Sequence, residues 1–199
     1  MIEQKLLDSG ISLIAGVDEA GRGACAGPLV VAALILKEPR DAALSQVTDS
    51  KLLSPSERER LYEIVLETSL SHAIITIPPE EIDKNGLHKS NIEGMRRAIN
   101  ALDVAPEYVL TDGYEVPGIS LPSLAVWKGD QVALCISAAS IIAKVYRDRL
   151  MSELDKEYPG YGFVEHKGYV TKKHSEAMKK LGITPIHRKS YANVAKLSQ

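Results

Sequence analysis

The sequence contains few cysteines and no long apolar run, and these absences exclude several classes of protein. Cys25 and Cys135 are the only cysteines among 199 residues. They form no CxxC pair, so neither a disulfide framework nor a cysteine zinc site is indicated, and we expect two reduced, buried thiols. The longest strongly apolar stretch, 27–36, is far shorter than the ~20 residues that a membrane span needs.

Other familiar signatures are also missing. The N-terminus lacks the basic-then-apolar pattern of an export signal, so a cytoplasmic protein without membrane contact is expected. The five histidines show no zinc spacing, and neither a P-loop nor a G-x-S-x-G motif occurs. Enzymes that use a hydroxyl or thiol nucleophile therefore have no support. A composition of 45% hydrophobic and 25% charged residues suits one globular domain with a substantial core.

The charge is unevenly distributed, although the net charge is only −2. Residues 158–199 carry eight Lys or Arg against two Glu and sum to +6, whereas residues 1–157 sum to −8. A basic tail on an acidic body could follow a polyanion while the body gathers carboxylates for metal ions. An ordinary solvated helix face would explain the basic residues equally well.

Strands and helices alternate along the chain, which predicts an α/β fold. Short runs rich in Ile, Leu and Val, bounded by glycine or charge, indicate strands of a buried sheet. The first two runs flank a glycine-rich turn and are expected to pair antiparallel, so the sheet should be mixed. The predicted strands are 11–17, 28–36, 72–77, 107–111 and 124–127, and the predicted helices are 55–68, two segments between 79 and 102 interrupted near 85–86, 131–157 and 172–181.

Four acidic side chains lie near the ends of predicted strands. They are Asp18, Glu19, Asp112 and Asp130. Their carboxylate oxygens are ligands of the kind that Mg²⁺ and Mn²⁺ prefer, and two such ions can support phosphodiester hydrolysis. Each acid also has a plainer interpretation, because Asp112 could only form a turn and Asp130 could only cap the long helix.

The segment VDEAGRG, at 17–23, combines two of these acids with a glycine-rich turn. Side chains of a strand alternate between faces, so Asp18 and Glu19 could share one ion only if the strand breaks near Glu19. Gly21 and Gly23 would allow that break, and Arg22 could bind phosphate. The backbone of 21–23 is also the best candidate for sensing a 2′-hydroxyl.

Two further groups suggest contact with nucleic acid. The helix at 131–157 places Ser137, Ser140, Lys144 and Arg147 on one polar stripe, where the two cations could contact phosphates or balance the acids. Tyr169, flanked by lysines, could stack on a base or sugar. Solvated cations and a packing tyrosine remain the alternatives at this point.

Several ordered motifs at compatible spacing make the sequence resemble ribonuclease HII, the type 2 ribonuclease H family. The likeness covers almost the whole chain. The motifs are GVDEAGRG (16–23), GPLV (27–30), DSK (49–51), TDG (111–113), KGD (128–130), SAASIIAKVYRD (137–148), YGFVEHKGY (161–169) and HRKSY (187–191). Tyr146 stands where a small hydroxyl residue is expected in this family, which puts one local contact in doubt.

The resemblance implies a ribonuclease H-like fold, with a five-stranded mixed sheet flanked by helices. A catalytic domain at 1–157 and a basic, helical, substrate-binding extension at 158–199 would pack as one unit. The implied activity is endonucleolytic cleavage of RNA in RNA/DNA hybrids with Mg²⁺ or Mn²⁺, two ions being expected. It also includes incision 5′ to a single ribonucleotide in duplex DNA, which leaves 3′-hydroxyl and 5′-phosphate ends. A monomer is expected, with replication or repair proteins among its partners.

The resemblance also implies roles for individual residues. The family's metal-binding acids match Asp18, Glu19, Asp112 and Asp130, and its 2′-hydroxyl and junction reader matches Gly21, Arg22 and Gly23. Tyr169 matches the tyrosine that packs on the sugar at the RNA-to-DNA junction. Phosphate contacts or site supports are implied at Asp49, Ser50, Lys51, Lys144, Arg147 and Arg188.

Two other functions stay open at this stage. A non-catalytic nucleic-acid-binding module would use the basic tail as its contact surface and the acids as structural caps. A metal-dependent phosphatase would use the acids in the same way as a nuclease but would have no use for Tyr169 or the basic extension.

Overall fold

Five strands form one mixed sheet in the computed structural model, which describes residues 2–197. The sheet order is β3-β2-β1-β4-β5, and β1 pairs antiparallel with β2 and parallel with β4. The predicted α/β class, the antiparallel opening pair and the mixed sheet are therefore confirmed. The strands are β1 Ile14–Ala20, β2 Leu29–Leu36, β3 Ser69–Ile77, β4 Tyr108–Asp112 and β5 Ser123–Val126.

Helices cover both faces of this sheet. On one face, α5 packs against β1 and β2, and α2 lies beside α5 and shares its hydrophobic core with β2. On the other face, α4 packs against β1, β2 and β3. Every residue of β2 is buried as a result, which is why its sequence is continuously apolar. The helices are α1 Ile2–Asp8, α2 Pro55–Thr68, α3 Pro79–Asn85, α4 Leu87–Asn100, α5 Leu134–Glu157, α6 Phe163–His166, α7 Lys172–Leu181 and α8 Ala192–Ala195.

Helix boundaries predicted from capping residues agree with the structure. Ser54 and Glu57 form a complete capping box at the start of α2, with Pro55 as the first helical residue. Thr171 accepts a hydrogen bond from the His174 N–H at 3.1 Å and so caps α7. Gly86, at φ 82°, separates α3 from α4 where the interruption was predicted.

The first strand differs from its prediction in a way that matters for the acids. We expected it at 11–17, but β1 continues in register with β2 through Ala20. The turn starts only at Gly21, which has φ 90°. Asp18 and Glu19 are thus neighbouring strand residues that point to opposite faces, and the break that would let them share one ion does not occur.

The long helix also begins later than predicted, and Asp130 does not cap it. A short 3₁₀ turn at Gly129–Gln131 precedes α5, which begins at Leu134 rather than at 131. The buried carboxylate of Glu3, in α1, accepts hydrogen bonds from the Leu134 and Cys135 N–H groups. A side chain more than a hundred residues away therefore satisfies the free N–H groups of this helix.

Residues 158–197 pack against the rest of the chain. Tyr161, Phe163 and Met178 share one buried cluster with Met151 of α5 and with Cys25. Cys25 and Cys135 are both buried and free, as expected. Within the part of the chain that the structure describes, no helix is long and apolar enough to cross a membrane.

We predict that Gly16→Ala lowers the free energy of unfolding by about 3 kcal/mol or more. Gly16 lies in β1 directly under α5, and an added Cβ would meet the Cys135 carbonyl and lie 2.6 Å from the Ile136 nitrogen. Those are backbone atoms and cannot rotate away. Urea unfolding followed by circular dichroism would measure the loss.

Gly23→Ala in the loop after β1 is the matched control for stability. Its added Cβ would have open space, with the nearest atom 3.7 Å away in the Tyr169 ring, and Gly23 does not have a positive φ. A much smaller loss is therefore expected. Equal losses for the two variants would contradict the close packing of β1 on α5.

Candidate active site

Three aspartates from separate segments converge at the end of the central strands. Asp18 lies in β1, Asp112 is the last residue of β4, and Asp130 lies in the turn before α5. One carboxylate oxygen of each lies within 4.8 Å of those of the other two. Asp18 and Asp130 are buried, whereas Asp112 is partly exposed. The parallel pairing of β1 with β4 produces this convergence, because it brings the same ends of both strands to one edge.

Glu19 lies beside this group but outside the set of three. It lines a cavity together with Asp18 and Asp112, and its Oε2 is buried with no hydrogen-bond partner in the described part of the chain. A buried carboxylate oxygen without a partner is costly, so a ligand at this position would satisfy it. The structure therefore brings the four predicted acids to one place.

The acids are poorly neutralised by the protein. Burial is the largest cause that raises the pKa of Asp18, and the charges of Glu19 and Asp112 raise it further. The pKa of Glu19 is raised to about 7, first by burial and then by Asp112. Burial also raises the pKa of Asp112. Like charges gathered in a buried place oppose ionisation, and a bound cation would remove that opposition.

The segment 49–51 supports the acids from one side. The Asp49 Oδ1 accepts a hydrogen bond from the Lys51 N–H at 2.9 Å and so orders the turn. The Lys51 Nζ donates to the Asp130 Oδ2 at 3.0 Å, although most of the lysine side chain is exposed. The hydroxyls of Ser50 and Ser140 are 2.9 Å apart. All three predicted residues of this segment lie at the site.

The glycine-rich loop at 21–23 follows the acids directly. Gly21 must be glycine, because an added Cβ would meet the Arg147 side chain and the backbone has positive φ. The Arg22 guanidinium lies over the Tyr114 ring at 4.7 Å, and its Nε is buried without a hydrogen-bond partner among the described residues. Gly23 has open space: an added Cβ would be 3.7 Å from Tyr169.

Two predicted arginines are fully buried and contact backbone carbonyls. Arg147 donates to the carbonyls of Pro28 at 2.9 Å, Lys167 at 2.9 Å and Ala26 at 3.2 Å. Arg188 donates to the carbonyls of Gly27 and Arg22, each at 3.1 Å. Of the two roles expected for these arginines, phosphate contact or site support, their contacts match support of the loop at 22–28.

Lys144, the other cation of the predicted stripe, lies at the cavity. Its Nζ donates to the Asp148 Oδ1 at 2.8 Å. Tyr146 packs its ring against the core formed by α2 and α5. Among the described residues that line the cavity around the acids, Tyr146 does not occur. The large Tyr146 side chain therefore packs in the core and not beside the acids.

Tyr169 closes the cavity on the side of the extension. Its side chain is 38% exposed, and the Arg147 guanidinium lies 5.6 Å from its ring centroid. The cavity has a volume of about 380 Å³ and is lined by Asp18, Glu19 and Asp112 as well as by the tyrosine. Its lining includes Asp18, Glu19, Gly21, Arg22, Gly23, Ser50, Lys51, Asp112, Ser140, Lys144 and Tyr169.

A second cavity opens on the other side of the acids. It measures about 400 Å³ and shares Glu19, Arg22, Lys51 and Asp112 with the first. Trp127, 80% exposed, and Lys128 also line it. Lys128 has a left-handed conformation, φ 51°, at the turn where the Gly129 N–H donates to the Asp112 Oδ1 at 2.7 Å. The acids therefore lie between two open spaces, so a long ligand could pass over them.

Three site residues were not among those predicted from the sequence. Ser140 was placed only on a polar stripe, but its hydroxyl lies at Asp18 and lowers the pKa of that carboxyl. Asn91, fully buried on α4, lies beside Glu19, yet neither of its amide atoms reaches hydrogen-bond geometry within the described chain. Asn91 could have been noticed in the sequence, because it is a polar residue on the apolar face of α4. Nothing in the local sequence marked Trp127.

The arrangement suits a divalent cation. Carboxylate oxygens are the preferred ligands of Mg²⁺ and Mn²⁺, and three of them already lie within reach of one ion. The unpartnered Glu19 oxygen adds a further potential ligand. A cation at this position would face the loop at 21–23 and Tyr169 across one cavity.

Comparison with known proteins agrees with this geometry. Residues 15–194 match the family model for ribonuclease HII. A ribonuclease HII from Salinispora arenicola is 55% identical over 197 residues, which cover 99% of this chain and 73% of that protein. Ribonuclease H2 from Pyrococcus horikoshii OT3 has a TM-score of 0.80 at 30% identity, covering 92% of this chain and 96% of that one.

A further solved relative is the RNase HII of Archaeoglobus fulgidus, determined in a complex with PCNA. It has a TM-score of 0.74 at 28% identity, covering 94% of this chain and 97% of that one. These likenesses extend over nearly the full chain, including every segment that contributes to the cavity. The chain belongs to the ribonuclease HII family, which cleaves RNA in RNA/DNA hybrids.

Proposed function

We propose that this chain is a divalent-metal-dependent endoribonuclease that also incises 5′ to single ribonucleotides in duplex DNA, leaving 3′-hydroxyl and 5′-phosphate ends. One observation carries the proposal: Asp18, Glu19 and Asp112 line the same cavity as the loop at 21–23 and Tyr169, and Asp130 lies within reach of Asp18 and Asp112. Cleaving groups and a sugar-facing tyrosine are thus within one nucleotide-sized space. A cut made by the acids would be tied to the identity of the sugar beside them.

The acids are the proposed metal ligands and catalytic residues. Asp18, Glu19, Asp112 and Asp130 would hold Mg²⁺ or Mn²⁺, and we propose two ions. Bound ions would supply an activated water and would stabilise the leaving oxygen. The chain's own contribution is to hold four carboxylates in place through β1, β4 and the turn at Gly129–Gln131. Lys51, bonded to Asp130, would keep that carboxylate oriented.

The loop at 21–23 and Tyr169 are the proposed readers of the sugar. Gly23 leaves open space toward Tyr169, so a backbone N–H or carbonyl there can approach a ligand closely. A 2′-hydroxyl both donates and accepts hydrogen bonds, and a backbone peptide offers both partners. The ring of Tyr169 would pack on the neighbouring sugar, as in the family resemblance.

The remaining predicted residues divide into surface contacts and supports. Lys144 and Lys51 line the cavity and are proposed to contact phosphates. Asp49, Ser50, Arg147 and Arg188 are buried, and we propose that they hold the substrate-binding loops. In this proposal, residues 158–199 are a substrate-binding extension of a catalytic domain at 1–157.

The same cavity argues against the two alternatives. A non-catalytic binding module would not need buried, poorly neutralised acids, and the chain belongs to a family of hydrolases. A phosphatase for small esters would not need an aromatic residue across the cavity from the acids. We further propose that the chain acts as a cytoplasmic monomer with replication or repair proteins, since the A. fulgidus relative was solved with PCNA.

The first prediction concerns the acids. Asp18→Asn or Asp112→Asn should lower the rate of Mg²⁺- or Mn²⁺-dependent incision at least about 100-fold, because several kcal/mol of charge stabilisation are lost. A labelled duplex with one ribonucleotide and an all-RNA hybrid strand would be tested side by side. Asp8→Asn, at an exposed acid of α1, is the matched control. Full activity in Asp18→Asn would overturn the assignment of the site.

The second prediction concerns proton release on metal binding. Glu19 has a pKa near 7 without a cation, so it carries a proton below that pH, and a metal ion must displace it. The affinity for Mg²⁺ should therefore fall as the pH drops below about 7, approaching tenfold per pH unit for one proton. Isothermal titration calorimetry at pH 6, 7 and 8 would measure it. In Glu19→Gln the slope should be flatter, and an unchanged slope would contradict the role of Glu19.

The third prediction separates sugar reading from cleavage. Tyr169→Ala should lower incision at a single ribonucleotide about 10-fold or more, because base or sugar stacking contributes roughly 1–3 kcal/mol. Cleavage of a long hybrid should change less, since such a substrate can bind in many alternative positions along its length. The rates on both substrates would be compared for the variant and the parent. Equal losses would contradict a role in reading the junction.

A further inference from the structure

Three histidines of the extension lie in a buried cluster beneath Tyr169. They are His166, His174 and His187, and the last two are fully buried. The rings of His166 and His174 are stacked with centroids 4.4 Å apart, and Phe163 packs edge-on against His174. Burial lowers the pKa of His174, and burial with the neighbouring His174 lowers that of His187 to about 4. Both imidazoles are therefore neutral at physiological pH.

The hydrogen bonds of this cluster allow only one arrangement of protons. The Thr184 backbone N–H must donate to the His187 Nδ1, at 2.9 Å, so that nitrogen carries no proton. The neutral His187 then carries its proton on Nε2, which lies 3.1 Å from the His174 Nε2. His174 must accept there, so its own proton is on Nδ1, and this N–H donates to the Tyr169 carbonyl at 2.9 Å.

We infer that Thr184, His187 and His174 form a one-way hydrogen-bond relay that positions the backbone of Tyr169. Each link requires the previous one, because reversing either imidazole would set a donor against the Thr184 N–H or leave the Tyr169 carbonyl without a partner. The relay starts at the loop after α7 and ends at the residue whose ring faces the acids. His174 and His187 are thus positioning residues.

The relay is one of three sets of hydrogen bonds that hold the successive carbonyl groups of residues 167–169. The Lys167 carbonyl accepts from Arg147, and the Gly168 carbonyl accepts from the N–H groups of Cys25 and Ala26 at 3.0 and 3.2 Å. The Tyr169 carbonyl is the next, and among the described side chains His174 is the one that donates to it. The peptide units on both sides of the Tyr169 Cα are therefore fixed, which sets the direction in which its side chain leaves the backbone.

The backbone on the N-terminal side of Tyr169 is held in the same way. His166 accepts from the Gly168 N–H with Nδ1 at 3.2 Å and donates with Nε2 to the Tyr161 carbonyl at 2.9 Å. Its proton is therefore on Nε2. Lys167 and Gly168 both have positive φ, 50° and 80°, so the chain approaches Tyr169 through a conformation that needs such support.

The relay and the neighbouring His166 together give three proton positions that can be measured without any substrate. We expect ¹⁵N–¹H correlation spectra of the uniformly ¹⁵N-labelled full chain at pH 7 to show the Nδ1–H form for His174 and the Nε2–H form for His166 and His187. Spectra of His174→Asn and His187→Asn would assign the signals. An Nε2–H form or a protonated ring at His174 would overturn the relay.

The functional effect is tested with two amide variants. The amide nitrogen of an asparagine can occupy the position of the His174 Nδ1 and keep the hydrogen bond to Tyr169, whereas that of a glutamine reaches toward Nε2. We expect His174→Asn to keep the ratio of single-ribonucleotide incision to long-hybrid cleavage within about threefold of the parent. His174→Gln should lower it about 10-fold or more, as expected when a contact group shifts by an ångström.

This functional effect rests on the proposed role of Tyr169, so Tyr169→Ala is measured in parallel. If Tyr169→Ala leaves the ratio unchanged, the proposed reading of the junction fails, while the proton positions still decide the relay. If Tyr169→Ala lowers the ratio and His174→Gln does not, positioning by His174 is overturned. The double variant should be no worse than Tyr169→Ala alone, because His174 acts through Tyr169. If neither amide variant folds, the spectra of the parent chain decide.

Discussion

Several carboxylates lie together at one edge of the sheet with less positive charge than would balance them, and the surrounding structure must hold them there. Asp18 is buried in β1, and its pKa and those of Glu19 and Asp112 are raised by burial first and by their mutual repulsion second. A fold can hold such a group only if rigid elements impose it. Here the parallel pairing of β1 with β4 and the packing of α5 over Gly16 provide that rigidity.

Buried arginines extend this rigidity from the acids to the loop at 21–23. Gly21 follows β1 directly, and Arg147 of α5 occupies the space where a side chain at this position would be. Arg147 also holds the Lys167 carbonyl, so one guanidinium touches both the loop after the acids and the segment before Tyr169. Arg147 of α5 thus links the loop that follows Asp18 and Glu19 to the segment that precedes Tyr169.

The sequence predicted the sheet, its antiparallel opening pair and the convergence of the acids because periodicity, capping and turn residues are local signals. It could not predict distant partners. Glu3 caps α5 from the other end of the chain, and Arg147 and Arg188 bind carbonyls that no local pattern reveals. The break near Glu19 that would let Asp18 and Glu19 share one ion does not occur, because β1 stays paired with β2 through Ala20, and Asp112 and Asp130 reach Asp18 from other segments.

The segment at 17–23 therefore has two parts with different physical demands. Its acids are buried in the strand with little positive charge to balance them, an arrangement that suits a bound cation. The loop has an open backbone at Gly23, facing Tyr169, and the buried Arg188 supports it through the Arg22 carbonyl. The sheet therefore holds the acids in place, whereas contacts with residues 158–197 hold the loop and Tyr169.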